Sequence, residues 1–290
     1  MWFETVMHEF VSTEAAMLME SSILLQTEQG EVLNQIQNNT SLSASLWVNV
    51  ALAGLSALLF VYMSQRVRTR RARLIFGATI MIPLVSISSY LGMISGLTVG
   101  LIEMPAGHAL AGELVLSQWG RYLTWALSTP LILLALGLLA EVDIADLFAV
   151  ITADVGMCVT GLAAALITSS YGLRWAFYVI SCAFFLVVLY ALLAEWSADA
   201  EAAGTGEIFS TLRALTVVLW LGYPIVWAVG IEGLALVDSA ALTSWGYSLL
   251  DVLAKYVFAY LLLSWVASNE RTVARATGSA ATGTGTPADD

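Results

Sequence analysis

Ser248-Leu-Leu-Asp251-Val-Leu-Ala-Lys255-Tyr256 sits inside residues 244–266, an otherwise apolar run long enough to cross a bilayer. A helix of about 20 residues spans a hydrocarbon core roughly 30 Å thick. A charged side chain near its middle costs roughly 2.5–3.5 kcal/mol even on the lenient insertion scale. Asp251 and Lys255 are one helical turn apart and share a face, so they can pair. The pair could simply lock two helices together. It could also serve a lysine whose amine carries an aldehyde cofactor covalently as a Schiff base.

Six further runs of similar character precede this one, at residues 45–63, 74–97, 119–140, 147–169, 174–194 and 209–231. The chain is 59% hydrophobic and 11% charged, against roughly 25% charged in soluble proteins, and its mean hydropathy is +0.83. With short links and no internal repeat, this predicts an all-α integral membrane protein, a single seven-transmembrane-helix bundle. A soluble enzyme is excluded. Residues 43–270 form the membrane domain, 1–42 an extracellular segment that either caps the bundle or is removed on maturation, and 271–290 a disordered cytoplasmic tail.

Five of the eleven Lys and Arg residues, Arg66, Arg68, Arg70, Arg71 and Arg73, crowd one short link. The positive-inside tendency makes that link cytoplasmic, with the N-terminus outside the cell membrane and the C-terminus inside. The net charge of −11 lies mostly in links and tails. Such a surface disfavours nucleic acid and suits a salty medium, which screens self-repulsion. Cys158 and Cys182 fall mid-span among apolar neighbours and read as small fillers, with no metal site implied.

Arg121, Asp154, Asp251 and Lys255 are the charges placed deep in spans. Arg174 and Arg213 lie near span ends, where a long side chain can reach the interface. Arg121, Thr124, Trp125 and Ser128 follow the i, i+3, i+4, i+7 spacing, so one face offers a cation, two hydroxyls and an indole. Trp220, Tyr223 and Trp227 share another face beside the kink expected at Pro224. Aromatics at this spacing are ordinarily core. Beside a buried lysine they can also wall a long conjugated ligand, with Trp125, Met157 and Tyr178 completing the enclosure.

The combination Asp251-x-x-x-Lys255, Trp220-x-x-Tyr223-Pro224-x-x-Trp227 and Arg121-Tyr-Leu-Thr124-Trp125 resembles the microbial (type 1) rhodopsins over all seven spans. Within that family it looks like the halorhodopsin group, light-driven inward chloride pumps, and the loop Glu103-Met-Pro-Ala-Gly-His108-Ala-Leu is similar to theirs. The resemblance implies all-trans retinal on Lys255 as a protonated Schiff base. It also implies a pocket of Trp125, Thr129, Met157, Gly161, Tyr178, Ser181, Trp220, Tyr223 and Trp227, with a protonated Asp154 by the chromophore ring. It further implies a halophilic homotrimer and leaves a bound carotenoid open.

Charge balance favours an anion. A protonated nitrogen on Lys255 and the Arg121 guanidinium contribute +2 against −1 from Asp251, and an uncompensated buried charge is expensive. A chloride ion held by Arg121, Thr124 and Ser128, with Asp251 as counterion, restores neutrality. In related outward proton pumps the position of Thr124 is an Asp that accepts the proton. The position of Ala135 carries a carboxylic donor there, and that of Thr243 a Glu, although Glu232 remains nearby in this chain. Missing acceptor and donor disfavour a proton relay. A sensory photoreceptor with a membrane partner and a light-gated anion channel could both use the same scaffold. Thr124 opposes the first, and the apolar spans oppose the second. Lys255→Ala is expected to abolish the visible pigment, as checked by absorption spectroscopy of retinal-supplied membranes.

Overall fold

The computed structural model describes residues 29–275; residues 1–28 of the predicted extracellular segment and 276–290 of the predicted tail lie outside these. Within them, seven helices are long and apolar enough to cross a membrane: Thr40–Ser64, Arg70–Ile94, Gly120–Ala140, Ile144–Leu166, Tyr171–Ala202, Gly206–Val229 and Ala240–Ser268. They are referred to below as the first to seventh spans. Twenty-five residues at 1.5 Å each give about 37 Å, enough for the hydrocarbon core with some tilt. Each span packs on its neighbour in sequence, and the seventh returns to the first, closing a ring.

Local signals set several helix starts. The Asn39 side chain accepts the Leu42 amide at 3.0 Å, and Asp143 accepts Ala145 at 2.8 Å. These caps satisfy amides that have no partner within the helix. Pro83, Pro130 and Pro224 are accommodated inside continuous helices. The outward faces are as apolar as the core, with Leu58 72% and Phe148 71% exposed. That pattern fits hydrocarbon, not water, as the surrounding solvent.

Two spans depart from α geometry. The fifth contains a π-helical turn at Ala191–Glu195, and the seventh one at Val252–Val257, with Lys255 inside it. A π turn inserts one extra residue per turn and re-aims the side chains around it.

The two halves of the bundle differ in content. Toward the Arg71 end, Ile75, Phe76, Ile132, Leu136, Leu212 and Phe258 belong to one continuous apolar cluster. Thr79 and Thr216, buried on the second and sixth spans, are each turned onto their own helix, bonding Ile75 O at 2.7 Å and Leu212 O at 2.9 Å. At the opposite end strand β1 (Gly100–Glu103) pairs antiparallel with β2 (Leu114–Ser117), Gly100 facing Ser117 and Glu103 facing Leu114. Their loop turns at Gly107 and Gly112, whose φ values of 92° and 80° suit glycine. His108 Nδ1 accepts the Leu110 amide at 3.0 Å, which orders this loop. Burial and the nearby Arg174 push its imidazole below the ordinary histidine range.

Two expectations are corrected. Arg174 does not reach the interface; it is fully buried and donates to Ala165 O, Ile167 O and Glu232 O, each at 2.8 Å. Carbonyls left free where the fourth span ends make a better partner for a guanidinium than distant water. Order also continues past residue 270. Glu270–Arg275 is a short helix with Val273 buried in the apolar cluster.

That helix closes the basic end of the bundle. The Glu270 carboxylate accepts the backbone amides of Arg68 and Thr69, and these bonds hold its carboxyl below the usual range. Thr69 itself makes no side-chain cap on the second span, so the C-terminal segment supplies it. A depressed carboxyl stabilises above the unfolded-state range and loses its effect as pH falls through the folded value. Glu270→Ala is therefore expected to cost about 1 kcal/mol, the ordinary worth of an N-cap, or roughly 2–4 °C, at neutral pH. Parent and variant should converge in acid, as followed by thermal melts across pH.

Candidate functional site: a buried charge cluster beside an aromatic cavity

The i, i+4 spacing on the seventh span is realised as an ion pair, Lys255 Nζ to Asp251 Oδ1 at 2.9 Å, both side chains 1% exposed. Two phenols complete the carboxylate. Tyr223 donates to Oδ1 at 2.8 Å and Tyr90 to Oδ2 at 2.7 Å. Charge-assisted bonds of this kind are stronger than neutral ones and fix the carboxylate in place.

Arg121 is 2% exposed and has no carboxylate within ion-pair distance among the described residues. Its Nε donates to Gln118 Oε1 at 2.7 Å, Nη1 to the Tyr90 hydroxyl at 3.0 Å and Nη2 to Ser244 Oγ at 2.7 Å. The rings of Tyr90 and Tyr247 lie 5.4 and 5.3 Å from its centre. Tyr90 thus receives a proton bond from the cation and passes one to the anion. It ties Arg121 to Asp251.

The hydroxyls predicted to face the same space are not equivalent. Thr124 Oγ1 is engaged by the Gly120 carbonyl at 3.0 Å and by Ser89 Oγ. Ser128 Oγ is fully buried with no hydrogen-bond partner. A buried hydroxyl without a partner is costly, and of the two only Ser128 keeps its proton uncommitted.

Next to this cluster lies an apolar cavity. Trp125, Thr129, Met157, Gly161, Tyr178, Ser181, Trp220, Tyr223 and Trp227 all line it, drawn from the third to sixth spans. Tyr178 stacks on Trp227 at 4.7 Å, and Trp125 meets Tyr223 edge-on at 5.2 Å. Asp154 and Lys255 stand behind the wall. Asp154 is fully buried, accepts from Thr129 at 2.6 Å through Oδ2 and leaves Oδ1 unpaired. A lone oxygen in that setting fits a protonated carboxyl. Toward the β-hairpin a second, smaller cavity is lined by Gln118, Arg121, Glu232, Thr243, Ser244 and Tyr247. The Glu232 carboxylate accepts from Ser117 and Tyr122.

Tyr90, Ser89, Tyr247 and Ser244 escaped the sequence reading. The hydroxyl-rich run Ser86-Ile-Ser88-Ser89-Tyr90 is unusual in a lipid-spanning helix and was the available signal.

The bacteriorhodopsin-like family model matches residues 40–269, which takes in every residue of this cluster and both cavities. The chain belongs to the halorhodopsins of the bacteriorhodopsin-like family. Halorhodopsin of Haloterrigena sp. (strain arg-4) is 71% identical over 260 residues, covering 90% of this chain and 88% of that relative. A solved structure described as halorhodopsin, a light-driven chloride pump, superposes with TM-score 0.81 at 74% identity, covering 81% of this chain and 99% of the other. A bromide-bound halorhodopsin from Halobacterium salinarum superposes equally well, at 73% identity over 82% of this chain and 98% of that one. The chain is thus a multi-pass membrane protein, and membership of the halorhodopsins implies retinal.

The residues of this chain fit that group. The cavity is walled by rings and thioether, contains the unpartnered indole N–H groups of Trp125 and Trp227, and ends near a buried amine. Where the Gly161 side chain would be, a Cβ would already touch Ser181 and Tyr122 at 3.4 and 3.5 Å, so glycine keeps the wall thin. Tyr90→Phe removes the tie between Arg121 and Asp251 and is expected to cost about 1–3 kcal/mol, measured by thermal denaturation of the pigment.

Proposed function

We propose that the protein is a light-driven inward chloride pump, with retinal linked to Lys255. The observation that carries this reading is the buried charge sum of +1 from Arg121, Lys255 and Asp251. An anion bound there would neutralise the cluster, and Ser128, on the Arg121 face of the third span, keeps an unpartnered hydroxyl that can donate to it. When bound, retinal supplies a light-driven change of shape and carries a protonated nitrogen at the position of the lysine amine.

The chain's own residues account for the rest. Arg121 attracts the anion from the hairpin-side cavity. A guanidinium has five N–H donors, and three are engaged, which leaves two for the ion. Ser128 donates the hydroxyl bond. Thr124 contributes chiefly by not being a carboxylate, so no local base competes with the anion or takes a proton. Asp251, steadied by Tyr90 and Tyr223, keeps a positive charge favourable at Lys255. Trp125, Trp220, Tyr223 and Trp227 would wall the cofactor with apolar ring surface. Asp154, protonated, bonds Thr129 and adds no negative charge to oppose the ion.

Ala135 lies in the apolar cluster on the far side, where a proton pump would need a donor. The crowded arginines at that end support a cytoplasmic assignment, with the N-terminus outside. A homotrimer in the cell membrane of a halophile is the assembly we favour.

Light-induced pH change in unbuffered, retinal-supplied cells tests the reading. The medium should turn alkaline in chloride, more so with a protonophore, and stay unchanged in sulfate. Acidification abolished by protonophore would mean proton export, and a silent but intact pigment would mean a sensory role. Thr124→Asp should weaken chloride binding by at least about tenfold, since it supplies the missing negative charge. Full chloride transport in that variant would refute the charge-balance argument.

A further inference from the structure

Arg121 is also held from the side of the seventh and first spans. Its Nη2 donates to Ser244 Oγ at 2.7 Å on the seventh span. Ser244 Oγ lies 2.7 Å from Ser45 Oγ on the first span, and Ser45 Oγ lies 2.7 Å from the Leu42 carbonyl. Proton accounting gives this series a single direction. A guanidinium only donates and a carbonyl only accepts, so Ser244 must donate to Ser45 and Ser45 to Leu42. Every group in it is buried: Arg121 2%, Ser244 1%, Ser45 0% and Leu42 1% exposed.

We propose that Ser45 is a positioning residue for anion binding, acting through Ser244 on the Arg121 guanidinium. The inference rests on Arg121 being the anion's cation, as proposed above. Consecutive bonds in one sense polarise one another, and the effect is greatest where water is excluded. With Ser45 removed, the Ser244 proton has no acceptor in line. Its hydroxyl is then free to rotate, and the plane of the guanidinium is no longer fixed toward the hairpin-side cavity, whose wall includes both Arg121 and Ser244. Tyr90 and Gln118 still bind Arg121 on its other edges, so the cation stays buried but loses its aim. Ser45 lines neither cavity, so a role limited to packing would change stability alone.

The test is a halide titration of the full retinal-loaded pigment, read from its visible absorption. Ser45→Ala should raise the half-saturating chloride concentration about 3- to 10-fold, and Ser45→Thr, which keeps the hydroxyl, should return it to within about twofold of the parent. Ser248→Ala is the control. Its Oγ donates to the Ser45 carbonyl at 3.0 Å, joining the same two helices without entering the series, and its titration should match the parent. Ser244→Ala cuts the series at its other link and should shift like Ser45→Ala; it decides the matter if Ser45→Ala yields no pigment. An unchanged midpoint in Ser45→Ala, with Arg121→Gln clearly shifted, overturns this inference and leaves the pump reading standing. An equal shift in Ser248→Ala also overturns it, because any loosened helix contact would then suffice. No shift even in Arg121→Gln would bring down the underlying reading instead.

Discussion

Everything in the bundle is arranged around one electrostatic fact: two cations and one carboxylate are buried together, each no more than 2% exposed. Taken separately, each charge would be several kcal/mol too expensive to bury. The structure answers the cost with polar side chains from almost every direction. Tyr90 comes from the second span, Tyr223 from the sixth, Ser244 from the seventh and Gln118 from the start of the third. None of these neutralises the remaining positive charge. They hold the groups steady and leave the sum at +1. On the proposed reading, an anion makes up that balance, and the cluster binds because of what it lacks.

The same residues connect cation and cofactor space. Tyr223 lines the large cavity with one face and binds Asp251 through its hydroxyl. Thr129 lines it and binds Asp154. On the proposed reading, a change of shape in the cavity reaches the charged groups through these two side chains, with no long-range pathway required.

How legible was this in the sequence? Asp251 and Lys255 could be read because a helix places i and i+4 together whatever surrounds it, and the face of Arg121, Thr124, Trp125 and Ser128 followed from the same geometry. The aromatic walls were legible for the same reason, and their purpose came from the resemblance. Tyr90, Ser45 and Ser244 were not, since their roles depend on pairings between helices tens to hundreds of residues apart. The π turn at Val252–Val257 has no local signature in Val-Leu-Ala-Lys-Tyr-Val. Arg174 was misplaced because periodicity gives a residue's distance from a span end but not the free carbonyls waiting beside it. Thr124 and Ser128 looked interchangeable; only the neighbours Ser89 and Gly120 separate them.

The apolar half of the bundle has a consequence for the dark state. Between the charge cluster and the Arg71 end, Ile75, Leu136, Leu212, Phe258 and their neighbours fill the interior, and the two threonines there are turned inward on their own helices. An ion resting there would trade its hydration shell for hydrocarbon, with no side-chain dipole in compensation. A transporter that accumulates ions must hold back the gradient it creates for as long as no photon arrives. This layer acts as an insulator, and its thickness sets the leak.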